Sequence, residues 1–314
     1  MSGYVIGRIG QAALVLWAAF TVSFVLLQAL PGDAILIKFL NPELGLGPEQ
    51  IADIRTSYGA DSPLVVQYVH TALNFLTGNF GYSIHAGVPV GDLILANLPQ
   101  TVWLGTLGFL LSLVLAITLA ALSALSPFSW LRSFIQSIPA LFISTPVFWL
   151  GILLIQIFSF QLRLIPIINP GPWQALILPV FTLAVPISAP LAQILMRNID
   201  HVLTEPFVAV ARAKGASHRW VLWKHVAKNA VLPMLTIAGI LFGELLAGAV
   251  VTEAVFGLNG LGGLTQRSVN DQDIAVLQAI VVFSAAAFVL INLTVDLLYP
   301  VFDPRLRVRQ GAAT

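Results

Sequence analysis

Apolar residues along this chain do not alternate, and for most of its length they do not confine themselves to one helical stripe. They come in long blocks that are hydrophobic all round, separated by shorter polar stretches. Six blocks are long enough to cross a bilayer core, which needs about 20 residues at 1.5 Å rise. They run approximately Ile9–Leu30, Thr101–Leu122, Ile138–Phe160, Leu176–Met196, Met234–Ala254 and Ile274–Leu298. Blocks of this length without alternation predict helices rather than barrel strands, because a backbone in lipid must satisfy its own hydrogen bonds. The first block is far longer than the apolar core of a cleavable leader and reads as an uncleaved anchor.

Composition sharpens this picture. Of 314 residues, 58% are hydrophobic and only 9% charged, too few to clothe a water-soluble fold of this size. The chain therefore reads as an all-α integral membrane protein, a single domain spanning 1–314. The net charge of +1 leaves no field for nucleic acid, and the absence of cysteine excludes thiolate chemistry.

The distribution of cations predicts the orientation. With both termini in the cytoplasm, that side holds eleven basic residues: Arg8, Arg132, Arg197, Arg212, Lys214, Arg219, Lys224, Lys228, Arg305, Arg307 and Arg309. The opposite side holds four, Lys38, Arg55, Arg163 and Arg267.

Two loops exceed turn length. The outer one, about 31–100, is acidic, and it carries an interfacial helix near Leu64–Leu76 with Val65, Val69, Ala72 and Leu76 on one side. A Gly78-Asn79-Phe80-Gly81-Tyr82 turn follows. The inner loop, about 197–232, holds most of the positive charge.

Common chemistry is missing. None of the four lysines sits in a phosphate-cradling G-x-x-x-x-G-K-[ST] loop. The five histidines form no H-E-x-x-H pair; His218 and His225 fit a basic interfacial face better than a metal site. The glycine-rich run Gly257–Gly263 reads as a tight re-entry turn. No cofactor or metal site is expected in this chain.

Three carboxylates fall in or beside spans. Glu244 lies mid-span in the fifth block and either lines a path or pairs with a neighbouring helix. Glu253 and Asp296 read as interfacial. In the fourth block Pro179, Pro186 and Pro190 each remove an amide donor, which predicts a broken helix suited equally to plain kinking or to a moving pathway wall. Pro186, Pro190 and Gln193 join Glu244 as candidate translocation-path residues.

The most informative segment is Thr204–Gly215 in the inner loop. Thr204 is a candidate N-cap, Pro206 fits a first turn, Lys214 suits a helix C-terminus and Gly215 the left-handed residue after it. Ala209 and Ala213 lie four apart, a slim flank able to sink into a groove, with Arg212 and Lys214 at its rim. Ser217 then caps a second helix, His218–Asn229, whose Trp220, Val221, Trp223 and Val226 suit a membrane interface. Pro233 starts the fifth span.

At this loop the sequence resembles the inner-membrane permeases of ABC importers of the dipeptide/oligopeptide/nickel family. The carrying pattern is Ala209-Val210-Ala211-Arg212-Ala213-Lys214-Gly215, then His225, Asn229-Ala230 and Pro233. Pro31-Gly32-Asp33, Gly78-Asn79-Phe80-Gly81-Tyr82-Ser83, Leu98-Pro99-Gln100-Thr101, Pro146-Val147-Phe148-Trp149, Gly248-Ala249-Val250-Val251-Thr252-Glu253 and Asp303-Pro304-Arg305 extend it over nearly the whole chain. The resemblance implies a type I importer permease with six transmembrane helices in a bacterial inner membrane. It implies a second homologous permease, two ATPase subunits that bind ATP and magnesium, and a periplasmic or lipid-anchored substrate-binding protein. Ala209–Gly215 would be the coupling helix seated on the ATPases. Peptides are the expected cargo, nickel or a metal chelate the alternative. An ion-coupled transporter using Glu244 is the competing reading, and a membrane-embedded enzyme lacks any constellation to support it.

Overall fold

The computed structural model describes residues 2–28 and 62–302. Acidic Asp33, Glu43, Glu49, Asp53 and Asp61, and the Arg305, Arg307 and Arg309 tail, lie outside the described residues. The described chain is helical apart from turns and one isolated bridge, Tyr82 to Pro89. Its helices are α1 (Ser2–Gln28), α2 (Leu64–Leu76), α3 (Val90–Leu125), α4 (Ser129–Ser144), α5 (Val147–Leu154), α6 (Gln174–Leu203), α7 (Pro206–Ala213), α8 (His218–Val221), α9 (Ala227–Phe256), α10 (Leu261–Asn270) and α11 (Ile274–Phe302). The chain divides into two compact units, one drawn from Met1–Thr101 and Leu258–Leu290, the other from Val102–Gly257 and Ile291–Thr314.

Among the described residues four helices are long and apolar enough to cross a membrane, within α1, α3, α6 and α11, and up to six crossings result if each of two bent pairs is one span. The first bent pair corrects the expected third span. Instead of one rod over 138–160, α4 and α5, the latter prolonged by a π-helical turn Ile155–Gln161, meet at a 101° bend. Pro146 is the cause: its ring pushes the preceding residue out of the α region, and Thr145 sits at φ −90°, ψ 116°. The second span begins earlier than expected. Helix α3 starts at Val90, so 90–100 belongs to a helix of about 54 Å and the outer loop is correspondingly shorter.

The fourth span is not broken. Helix α6 runs unbroken through Pro179, Pro186 and Pro190. The join before the fifth span is bent where expected but stays helical. The chain from His218 runs through a π-helical turn, Leu222–Val226, and past Asn229 into α9, and it bends by 42° where Pro233 starts the second rod. Here Val221 and Val226 are fully buried, while Trp220 and Trp223 face outward. The valines thus belong to the core rather than to the expected interfacial face.

In the first unit, α2 appears where expected, and Val65, Val69 and Leu76 are exposed. A neighbouring face is pinned to α1 by aromatic edges: the rings of Tyr68 and Phe75 lie 5.4 and 5.3 Å from that of Phe20. Tyr68 and Thr21 share a 2.8 Å hydrogen bond. Helix α10 was not foreseen. Gly260 provides its N-cap, and the amide of Leu261 donates to Thr101 Oγ1 at 2.8 Å.

In the second unit, α6 and α9 make the most extensive helix pair. They run antiparallel. A Cβ on Gly248 would lie 3.3 Å from Leu183 Cδ1, and Asn198 Nδ2 donates to the Ala230 carbonyl at 3.3 Å. That register sets Glu244 level with Pro186.

Candidate functional site

The charged loop expected over 197–232 is almost wholly helical. Helix α6 carries Arg197 inside it and ends at Leu203; Thr204 and Glu205 join it to α7, and 214–217 join α7 to α8. The N-cap is one residue later than expected. Glu205, directly before Pro206, is held extended at φ −68°, ψ 144° and so becomes the cap, with Pro206 as first helical residue. Thr204 instead closes α6, its hydroxyl donating to the His201 carbonyl at 2.7 Å.

The other end forms as the residue types require. Lys214 is the C-cap and Gly215 adopts φ +86°. The amide of Ala216 donates to the Ala211 carbonyl at 3.2 Å, and that of Gly215 to Arg212 at 2.9 Å, the paired bonds of a glycine-terminated helix. Helix α7 is therefore two turns long, with the last two residues of the expected Ala209–Gly215 rod serving as its cap.

One side chain anchors α7. Val208 is 1% exposed and sits in the second unit's core beside Val221, Leu222 and Val226. Burying a valine contributes roughly 1.5–3 kcal/mol, enough to seat so short a helix. The rest of α7 looks outward: Phe207, Ala209, Val210, Arg212, Ala213 and Lys214 are exposed and Ala211 half-buried. An open groove of about 710 Å³ runs beside it, its lining including Phe207, Val210, Ala211, Gly215, Trp220 and His225. The Trp220 and His225 rings meet edge to face at 4.9 Å. This is a mostly apolar trough whose lining also includes Lys214 and Ser217.

The loop is also tied to neighbouring helices by polar contacts. Asp200, near the end of α6, pairs with Arg132 of α4 and accepts from Gln136 Nε2 at 3.3 Å. Arg212 of α7 donates to Nδ1 of His218 at 3.2 Å, and His218 Nε2 donates to the Ala124 carbonyl at 3.0 Å. Sequence reading missed these ties, since Arg132 and Ala124 lie 68 and 94 residues from their partners.

The two carboxylates of α9 exchange roles. Glu253, expected at an interface, is fully buried in α9, whereas Glu244 is exposed on the surface of the chain. Helix packing decides this. Both lie on one helix, but Glu253 is buried together with its neighbour Thr252, while Val251 beside them is exposed. Pro186, Pro190 and Gln193 are half-buried and share one side of α6 at i, i+4 and i+7 spacing. The side chain of Asp296 lies outside those described. Among the described residues no three His, Cys, Asp or Glu side chains group as metal ligands.

Comparisons with known proteins agree with this architecture. Residues 113–308 match the family "binding-protein-dependent transport system inner membrane component", and residues 1–105 match the N-terminal segment of such membrane components. A probable peptide ABC transporter permease of Sinorhizobium fredii, y4tP, is 36% identical over 98% of this chain and all of its own length. The glutathione transport permease GsiC of Escherichia coli K12 is 35% identical, again over 98% of this chain and all of its own length. Among solved structures, the inward-facing MetNI methionine ABC transporter matches with TM-score 0.57 at 17% identity, over 67% of this chain and 96% of that one. An amino acid ABC transporter solved with histidines matches with TM-score 0.50 at 22% identity, over 68% of this chain and 94% of that one. These likenesses establish the fold, and the full-length relatives establish the family: the chain belongs to the inner-membrane components of binding-protein-dependent transport systems, as a multi-pass permease subunit of an ABC importer with the type I fold.

Proposed function

We propose that this permease imports peptides across a bacterial inner membrane, with α7 as the element through which partner ATPases drive it. The observation that carries the reading is α7 itself: a capped two-turn helix, joined to α6 by two residues and anchored by Val208, that presents Ala209, Ala213 and an apolar trough outward. A stiff element so connected moves with its spans, so a push on it is a push on α6 and α9. Two ATPase subunits carry the ATP and magnesium, a second homologous permease completes the path, and a periplasmic or lipid-anchored binding protein delivers cargo. Both termini face the cytoplasm, as the eleven-to-four excess of cations requires. The whole chain acts as one membrane domain.

Glu244 supports a path on the surface it shares with the second permease. A carboxylate at the bilayer centre costs about 2.5–3.5 kcal/mol or more against lipid, so an exposed one in mid-span faces protein or water. Pro186 stands at the same level, and its carbonyl lacks the i+4 amide because residue 190 is also proline. With Gln193, these groups supply polar positions along an otherwise apolar wall. Peptide and glutathione permeases among the relatives support a peptide cargo; nickel or a metal chelate remains the alternative.

The test is the complete importer in proteoliposomes. Ala209→Trp adds bulk to an exposed position and should leave folding intact while lowering ATP-driven uptake at least about tenfold, equivalent to ~1.4 kcal/mol of docking. Glu244→Gln should slow uptake while leaving it ATP-driven. Wild-type uptake by Ala209→Trp would show that the ATPases do not act through α7, and ATP-independent uptake by this chain that an ionophore abolishes would establish an ion-coupled transporter instead. Cargo is read from the partner binding protein: a short peptide should raise its melting temperature, and a response to nickel alone would reassign the substrate.

A further inference from the structure

Helix α7 joins α6 and α9 through the backbone, and α6 is braced to α4 by Arg132 and Asp200. Helix α3 has no such covalent route to the loop. It ends at Leu125, and the chain turns into α4 at Ser129 without approaching α7 in sequence. Yet the Ala124 carbonyl is in contact with the loop through one imidazole.

The chemistry of that ring is determined by its neighbours. A carbonyl oxygen can only accept, so His218 Nε2 bears a hydrogen and donates to Ala124 at 3.0 Å. A guanidinium can only donate, so Nδ1 presents its lone pair to Arg212 Nη2 at 3.2 Å. One ring is thus donor on one side and acceptor on the other, and the order Arg212, His218, Ala124 forms a continuous relay. The carbonyl it reaches is among the last four of α3, which have no amide partner within the helix. His218 therefore acts as an external cap for α3. Ser217 fixes where the ring stands: its hydroxyl accepts from the Trp220 amide at 3.3 Å and starts α8 directly at His218.

We propose that His218 is a positioning residue for transport. It makes the cytoplasmic end of α3 follow α7, so that a displacement of the coupling element reaches the second span as well as the fourth and fifth. The proposal rests on the reading of α7 as the element the ATPases push. It also assigns Arg212 a task inside this chain, gripping His218, in place of a carboxylate on a partner.

The experiment compares substrate moved per ATP hydrolysed by the complete importer in proteoliposomes. His218→Ala removes both exposed bonds and should lower that ratio about fivefold, the order of the net contribution of an ordinary hydrogen bond. Half-saturating substrate and the amount of ATPase that co-purifies should stay unchanged. His218→Gln carries an amide donor and a carbonyl acceptor and should recover most of the ratio. His218→Lys can still donate to Ala124 but repels Arg212, and should resemble His218→Ala. The double variant Arg212→Ala, His218→Ala should be no worse than either single one.

Two results would overturn the relay: a wild-type ratio in His218→Ala, or a His218→Gln protein as uncoupled as the alanine. Ala209→Trp in the same assay separates this failure from the broader one. If Ala209→Trp uncouples and His218→Ala does not, only the relay is wrong. If neither uncouples, α7 is not the driven element and both readings fall.

Discussion

Helices α4–α5 and α6 are both rich in proline, and they respond to it in opposite ways. One proline, Pro146, turns α4 away from α5 by 101°, while three prolines leave α6 a continuous helix of 30 residues. The difference is first one of packing. Helix α6 buries 13 residues, α4 two and α5 one. An interior proline costs about 3 kcal/mol in a lone helix. Close contacts along the α6 face, with Leu183 wedged against Gly108 and Gly248, offset that cost. Local chemistry adds to it. Before Pro146, Ser144 and Thr145 both donate their hydroxyls to the Leu141 carbonyl, at 2.9 and 2.8 Å, which occupies an acceptor at the helix end. In α6 the hydroxyls of Thr182 and Ser188 bond back to Leu178 and Val185 and remain within the helical course. Proline therefore marks where a helix can break, and the neighbours decide whether it does.

That contrast can be broken in graded steps. The largest effect is expected from Leu183→Ala, which removes the side chain that α6 lodges between two glycine-lined surfaces. It should lower stability by about 2–5 kcal/mol, read as an earlier midpoint when the permease is unfolded in mixed micelles. A loss below 0.5 kcal/mol would show that packing does not hold α6 together.

The intermediate case is Pro146→Ala, which should straighten the bend between α4 and α5. Spin labels at the exposed positions Phe134 and Phe160 should move apart by roughly 10 Å, given 1.5 Å of rise per residue. An unchanged distance would assign the bend to surrounding contacts instead. The smallest effect belongs to Pro186→Ala. It returns one amide to an already intact helix but loosens the unfolded chain, and the two should cancel to within about 0.5 kcal/mol. A clear stabilisation in the same micelle assay would reveal strain at Pro186 that the continuous helix conceals.

Much of α7 was legible in sequence because its signals are local. Proline at the first turn, glycine in the left-handed position and Ser217 as a cap act within four residues, and each does so in the structure. The one-residue error at Thr204 is local too, since the rule for the residue before proline applies to Glu205 and outranks the cap preference of threonine. Helix α10 was hidden because its run of Gly, Leu, Thr and Arg has no apolar block to announce it. The exchange between Glu244 and Glu253 was hidden for another reason: position along a helix gives depth, whereas exposure depends on which neighbours pack against each face.

Sequence alone thus determined what lipid demands of any chain: long apolar helices, and short elements closed by residues whose backbone preferences are intrinsic. These follow from solvation and sterics, which act residue by residue. Tertiary structure alone decided which prolines break a helix, which carboxylate is exposed, and that His218 joins Arg212 to Ala124. Each of those depends on atoms brought together from distant parts of the chain, where packing and hydrogen-bond complementarity override any local preference.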